Sequence, residues 1–321
     1  MVKTGSRRAT RPVGREPVAG TGFPMVKLEA AGNDFLVVLD AGGDGSASCS
    51  LSPAQVRLVC DRRRGVGADG IILGRRGGPG TDLEMVLYNA DGSEAEMSGN
   101  GIRCLVHAAV LAGVAAPPEV RVATASGVRT VDYEPATSAT GGRAWARVEM
   151  GPVRLGPEVA SPLPGARARL ADVGNPHLVV IGDSDHDVDL DHLDLHALSS
   201  AATRAAGAAV NLEVVRPGRC GADFELRVLE RGVGETLACG TGTCAVAAVA
   251  RAWGMSGDRV TVDNPGGRLE VRLGGHAGAD AASETIDGVE LGGPVRKVAD
   301  VEVDSALVDS ALVDTALHEG G

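Results

Sequence analysis

Cys239 stands in a turn of small residues, Cys239-Gly240-Thr241-Gly242-Thr243, ahead of an Ala-rich apolar run, Cys244 to Trp253. That run reads as a buried helix, so the turn lies at the helix's N-terminal mouth. Such a mouth exposes free backbone N–H groups at the positive end of the helix dipole. It binds anions, carboxylates included, and it lowers a thiol's pKa from about 8.5. Glu230-Arg231 follows an apolar strand just upstream. A thiol beside a carboxylate-binding turn and a general base is an arrangement for chemistry rather than packing. Cys49, Cys60, Cys104, Cys220 and Cys244 lack such neighbours and read as small buried hydrophobes.

A second turn of the same kind, Ser98-Gly99-Asn100-Gly101, precedes a second apolar run, Ile102 to Ala112. Two such turns, facing each other, could grip one carboxylate from both sides. Neither turn is a phosphate loop, because neither holds a Lys and no Gly-x-x-x-x-Gly-Lys-Ser/Thr is present. No Gly-x-Gly-x-x-Gly opens a helix within a strand–helix–strand unit, which excludes a dinucleotide fingerprint.

The elements that must position these turns repeat along the chain. Leu36-Val37-Val38-Leu39, Ile71-Ile72-Leu73 and Leu83 to Leu87 read as strands before the first turn. Leu178 to Ile181, Val210 to Val215 and Phe224 to Leu229 do so before the second. Pro135, Gly141-Gly142 and Pro152 read as the junction between halves. The expected organisation is a disordered extension over residues 1–24, with Met25 as the functional start, and an N-terminal lobe over 25–142. A C-terminal lobe over 143–286, a strand over 287–303 returning to the first lobe and a low-complexity tail over 304–321 complete it.

Bulk composition narrows the function. Hydrophobic residues make up 44% and charged residues 23% of the 321, as in a soluble globular protein. Aromatics are 2%, so Val, Leu, Ile and Ala must fill the core. A net charge of -11 argues against nucleic-acid and anionic membrane surfaces. Arg62-Arg63-Arg64 is then surface charge. Six cysteines without a Cys-x-x-Cys pair form no disulfide framework, and the expected compartment is the reducing cytoplasm. His192 and His196 have a spacing that would share a helix face, but no third ligand accompanies them, so His186, His192 and His196 read as part of a solvated acidic face.

These residues carry a resemblance to the diaminopimelate epimerase family. It rests on Gly32-Asn33-Asp34-Phe35, Asp61 to Asp69, Asn89 to Glu94, Gly99-Asn100-Gly101-Ile102-Arg103 and Gly174-Asn175-Pro176-His177. Val210 to Glu213, Glu230 to Thr243 and Pro265 to Leu269 complete it, in order, between Met25 and Lys297. The resemblance implies an α/β (α+β) fold of two pseudo-symmetric lobes. Each lobe is a curved, mostly antiparallel sheet wrapped around a central helix, with the site in the cleft between them. It implies conversion of LL- to meso-diaminopimelate, for lysine and cell-wall synthesis, with no pyridoxal phosphate or other cofactor and no metal. Two thiols, one per lobe, would face opposite sides of the α-carbon, one removing the proton while the other supplies one. Cys239 matches the second-lobe thiol, and His177 and Glu230 match groups that assist the thiols. Gly99, Asn100, Gly240 and Thr241 match the carboxylate grip; Asn33, Asn89, Asn175, Asn211 and Arg231 match residues that bind the small amino-acid substrate. A homodimer is the assembly kept in view, although oligomeric state is not legible in the residues.

One position departs from the pattern. The family has Cys before Gly-Asn-Gly, and this chain has Ser98. A hydroxyl is far less acidic than a thiol, and Cys104 falls too far into the helix to replace it. Three readings stay open: an epimerase with a Ser98/Cys239 pair, in which His177 or a water does part of the proton work; a divergent paralogue that works from one face, as an eliminase, dehydratase or epimerase of another amino acid; and an inactive amino-acid-binding protein.

Overall fold

The computed structural model describes residues 22–40, 51–182, 188–218, 221, 223–277 and 284–308. Its first half runs β1 (Gly22–Ala30), β2 (Asn33–Asp40), α1 (Pro53–Cys60), β3 (Gly70–Arg76), β4 (Leu83–Asn89), β5 (Glu94–Ala95), α2 (Gly99–Leu111), β6 (Glu119–Thr124), β7 (Gly127–Glu134) and β8 (Ala144–Val159). The second half repeats the order with β9 (Ala166–Asp172), β10 (Pro176–Gly182), α3 (Leu195–Ala206), β11 (Asn211–Pro217), β12 (Phe224–Glu230), β13 (Gly234–Thr236) and α4 (Gly240–Ala252). It ends with β14 (Arg259–Asn264), β15 (Gly267–Arg272), β16 (His276–Ala277) and β17 (Glu284–Asp304).

The pairings repeat as well. In each half a strand runs parallel to the next across a helical crossover, β2 with β3 and β10 with β11. An antiparallel strand follows, β4 or β12, and then a short hook, β5 or β13. The central helix comes next, and then a hairpin whose first strand lies parallel to β4 or β12. Two pseudo-symmetric lobes result, each a curved and mostly antiparallel sheet around one helix. The helices suit that place, because Ala, Val, Gly and Cys make them slim and largely apolar, α2 alone burying Asn100, Arg103 and His107 as well. In α4 every residue from Gly242 to Ala250 is buried, and in α2 every residue from Gly99 to Ala109.

Two long strands weld the lobes together. β8 pairs with β7 through its first part and with β9 through its last. β17 pairs with β15 and β16, then with β1, and it also lies along β8. The returning strand is therefore the end of a continuous strand that starts at Glu284. Pro152 sits inside β8 rather than at a break. It faces the register shift of β17 between Ile286 and Val289, where the irregular ladder spares the missing proline N–H. Gly141-Gly142 forms the turn between β7 and β8, as expected of that pair.

β1 begins at Gly22, ahead of Met25, which is buried mid-strand. Residues 1–21 and 309–321, which hold most of the expected extension and tail, lie outside the described residues, as do Cys49, His186 and Cys220. His192 does not share a helix face with His196: α3 starts only after its cap Asp194, and His192 pairs instead with Asp189. No helix among the described residues is long and apolar enough to cross a membrane, and no metal-binding group of three His, Cys, Asp or Glu side chains gathers among them.

Candidate active site

The two small-residue turns are the first turns of the two central helices. Ser98 is the N-cap of α2, in extended conformation, and its side chain accepts the Gly101 N–H at 3.0 Å. Cys239 is the N-cap of α4, and its sulfur accepts the Gly242 N–H at 3.4 Å. The matching geometry is a consequence of the repeated fold, and it brings the helix ends together at the centre of the molecule. A β-carbon placed on Gly240 would lie 3.7 Å from the Gly99 Cα, and on either glycine it would meet Leu291 of β17 at 2.8 Å. Free N–H groups of both helices thus converge on one place, with Cys239 at one side and Ser98 at the other.

Around Cys239 the second lobe gathers polar side chains. Thr241 Oγ1 lies 3.4 Å from the sulfur. Asn175, from the turn into β10, donates through Nδ2 to Thr241 Oγ1 at 3.4 Å and accepts through Oδ1 from His177 Nε2 at 2.9 Å. His177 Nδ1 lies 2.7 Å from Glu213 Oε1, and both side chains are fully buried. The other Glu213 oxygen has no partner among the described residues. Glu230, at the end of β12, accepts from Thr236 Oγ1, and its charge acts on Cys239. Burial pushes its carboxyl up from the ordinary value.

Burial, reinforced by the carboxylates of Glu230 and Glu213, also pushes the Cys239 thiol well up, against the opposing Thr241 and Gly242 hydrogen bonds. This corrects the expectation from the helix mouth alone. The helix end does present its N–H groups, but removal from water and two acidic neighbours dominate. The surroundings of Cys239 therefore favour the neutral thiol, with the Glu230 and Glu213 carboxyls close enough to act on it.

The first lobe is built differently at equivalent positions. β2 and β10 carry Phe35 and His177 at the same register, and β3 and β11 carry Ile72 and Glu213. Asn89 ends β4 where Glu230 ends β12; it is exposed and donates to Ser93 Oγ at 3.1 Å. Asn33 accepts from Asn100 Nδ2 at 2.5 Å and donates to Asp69 Oδ2 at 3.2 Å. Asn100 in turn accepts from the buried Arg103 at 2.6 Å. Asn211 accepts the Arg231 N–H at 2.8 Å, next to Glu230, while the Arg231 side chain is exposed. Cys104 faces the core and burial pushes its thiol far up, which removes it as a stand-in at Ser98.

The structure therefore brings Ser98, Gly99, Asn100, Asn33, Asn175, His177, Glu230, Cys239, Gly240 and Thr241 to the helix ends, and sets Asn211 and Arg231 beside Glu230. Sequence reasoning assigned no role to Glu213, Arg103, Asp69 or Thr236. All four sit inside quoted motifs, but Glu213 and Arg103, as charges facing inward from a strand and a helix, carry no local signal.

A family model described as diaminopimelate epimerase matches residues 25–156 and 169–285. A curated diaminopimelate epimerase of Desulforudis audaxviator is 37% identical over 292 residues, covering 82% of this chain and 98% of the relative. Among solved structures, a phenazine biosynthesis protein of the PhzF family from Bacillus anthracis superposes with a TM-score of 0.63 at 14% identity, covering 88% of this chain and 99% of its own. A hydroxyproline epimerase from Agrobacterium vitis, solved with bound trans-4-OH-L-proline, gives 0.62 at 17%, covering 88% and 92%. Both structural likenesses speak to the fold.

Proposed function

The chain belongs to the diaminopimelate epimerase family, and from that premise we propose that it inverts the α-carbon of diaminopimelate between Cys239 and Ser98. It is an isomerase of the amino-acid epimerase and racemase kind. The observation that carries the finer reading is the meeting of two helix N-termini, capped by Cys239 and Ser98 on either side. The α-carboxylate fits the N–H groups there. Glu230 takes the proton of Cys239, and the thiolate removes the α-proton. The electron pair left on the α-carbon spreads into the carboxylate, where the converging N–H groups stabilise it. A proton delivered from the Ser98 side completes the inversion, and exchange with solvent then removes the proton held by Glu230 and replaces the one given from the Ser98 side. In the reverse direction the Ser98 side must accept the α-proton, which a hydroxyl does poorly, so that face limits the rate. A reducing compartment such as the cytoplasm suits a site built on a free thiol.

Ser98→Cys supplies the missing acid–base group and raises the epimerisation rate by about 10²-fold or more. Cys239→Ala abolishes it while diaminopimelate still binds. An unchanged rate in Ser98→Cys would count against the paired arrangement. A one-face reaction is the second reading, favoured by the contrast between Cys239, which has the Glu230 and Glu213 carboxyls acting on it, and Ser98, for which Asn89 and Ile72 hold the equivalent positions. It is recognised by α-proton exchange without inversion.

A further inference from the structure

Arg103 is the charge in the middle of the molecule that the reaction as described does not use. Its side chain is fully buried inside the first lobe. The guanidinium reaches back along α2, donating through Nη1 to Gly99 O at 2.9 Å and through Nη2 to Asn100 Oδ1 at 2.6 Å. Its Nε has no partner, and no carboxylate among the described residues pairs with it. Glu29, which its field reaches, is engaged by Arg296 and by the Gly32 N–H. Burial without a counter-charge pushes the guanidinium down to about 10. Room for it is reserved by Gly293 of β17, where a β-carbon would come within 3.1 Å of Nη2. The equivalent position in the other lobe is Cys244, so only one helix end is charged in this way.

A fully buried cation without an anion is costly to fold around. Neutral acceptors satisfy part of its hydrogen bonding and none of its charge. The groups it holds, Gly99 and Asn100, are the ones whose N–H groups face the proposed carboxylate. We infer that Arg103 is a positioning residue that supplies the buried counter-charge for the ligand's α-carboxylate. The inference rests on the carboxylate-binding reading of the helix ends. It also predicts a contribution to rate, because the carboxylate gains negative charge as the α-proton leaves and a fixed cation favours that state over the ground state.

The test uses the full chain with Arg103 changed to Gln, Met or Lys. Thermal unfolding is followed without ligand, with acetate against chloride at equal ionic strength, and with meso-diaminopimelate. A packing role predicts a lower unfolding temperature in both neutral variants. The counter-charge role predicts that at least one neutral variant unfolds at or above the wild-type temperature, since a costly charge has gone. It further predicts that the acetate-over-chloride shift disappears in the neutral variants and survives in Arg103→Lys. With diaminopimelate turnover, kcat falls tenfold or more in the neutral variants, KM rises less, and Lys restores most of the loss. The proposal is overturned if neither neutral variant keeps wild-type stability, if the acetate shift is the same in all variants, or if wild type shows no carboxylate-specific shift. An Arg103-dependent acetate shift without any diaminopimelate shift would sink the substrate assignment and leave this inference standing.

Discussion

Glu230 does opposing things to Cys239, and the opposition can be measured. In the proposed mechanism it accepts the thiol proton, and as a charge it helps hold the thiol neutral. Alkylation of Cys239 by iodoacetamide, followed by peptide mapping, should rise with pH to a midpoint above the ordinary thiol range near 8.5. Cys60 and Cys244, pushed up to about 12 by burial, should stay inert over the same range. Glu230→Gln removes a negative neighbour, so the alkylation midpoint moves down, while burial keeps it above the ordinary range. The same change deletes the proton acceptor, so α-proton exchange falls by about 10²-fold or more. A midpoint that stays or rises, or an exchange rate that is unchanged, would contradict the assigned role. Because the Glu230 carboxyl is itself raised, the acid limb of the pH–rate profile should lie above the ordinary carboxylate value of 4.5. At this scale Cys239, Glu230 and the Ser98 departure were legible, because each stands in a motif. The protonation state of Cys239 was not, because burial and the Glu213 carboxylate come from elements distant in sequence.

The elements place these residues through close backbone contact as much as through side chains. Ala31 and Gly32, with φ of 51° and 87°, make the two-residue turn between β1 and β2. That turn packs against Gly266, at the tip of the β14–β15 hairpin of the other lobe. A β-carbon on Gly266 would lie 2.1 Å from Ala31 O, which is backbone and cannot move aside. Gly266→Ala should therefore cost about 1–3 kcal/mol, read as a lower denaturant midpoint at unchanged m. An unaltered midpoint would show that the lobes do not meet there in solution. The Pro265-Gly266-Gly267 match thus has a physical reason in contact between lobes. Helices α2 and α4 were legible from their Ala-rich runs and capped turns. Strand β8 was not, and β17 was legible only as its returning part, since Pro152, Gly292-Gly293-Pro294 and two register shifts break the alternation that marks a strand. Their length is set by the need to serve both lobes, which no local window records.

Over the whole molecule, the fold is a repeat and the site is where the repeat is broken. Strand order, register and helix caps agree between lobes, so two equivalent half-sites would be expected. The charges disagree. One helix end carries Cys239 with Glu230 and Glu213 nearby, while the other carries Ser98 above the buried Arg103. The two-fold repeat was legible from the two turns and their flanking strands. Its electrostatic inequality is spread over both lobes and emerged only from the packing. A molecule of this kind should handle the two faces of an α-carbon unequally. The direct measurement is solvent deuterium uptake at the α-carbon, followed by NMR, with LL- and meso-diaminopimelate supplied separately. Uptake from both, faster from the isomer whose α-proton faces Cys239 and brought closer to equality by Ser98→Cys, is the predicted result. Absence of uptake from either isomer, with binding intact, would contradict the account.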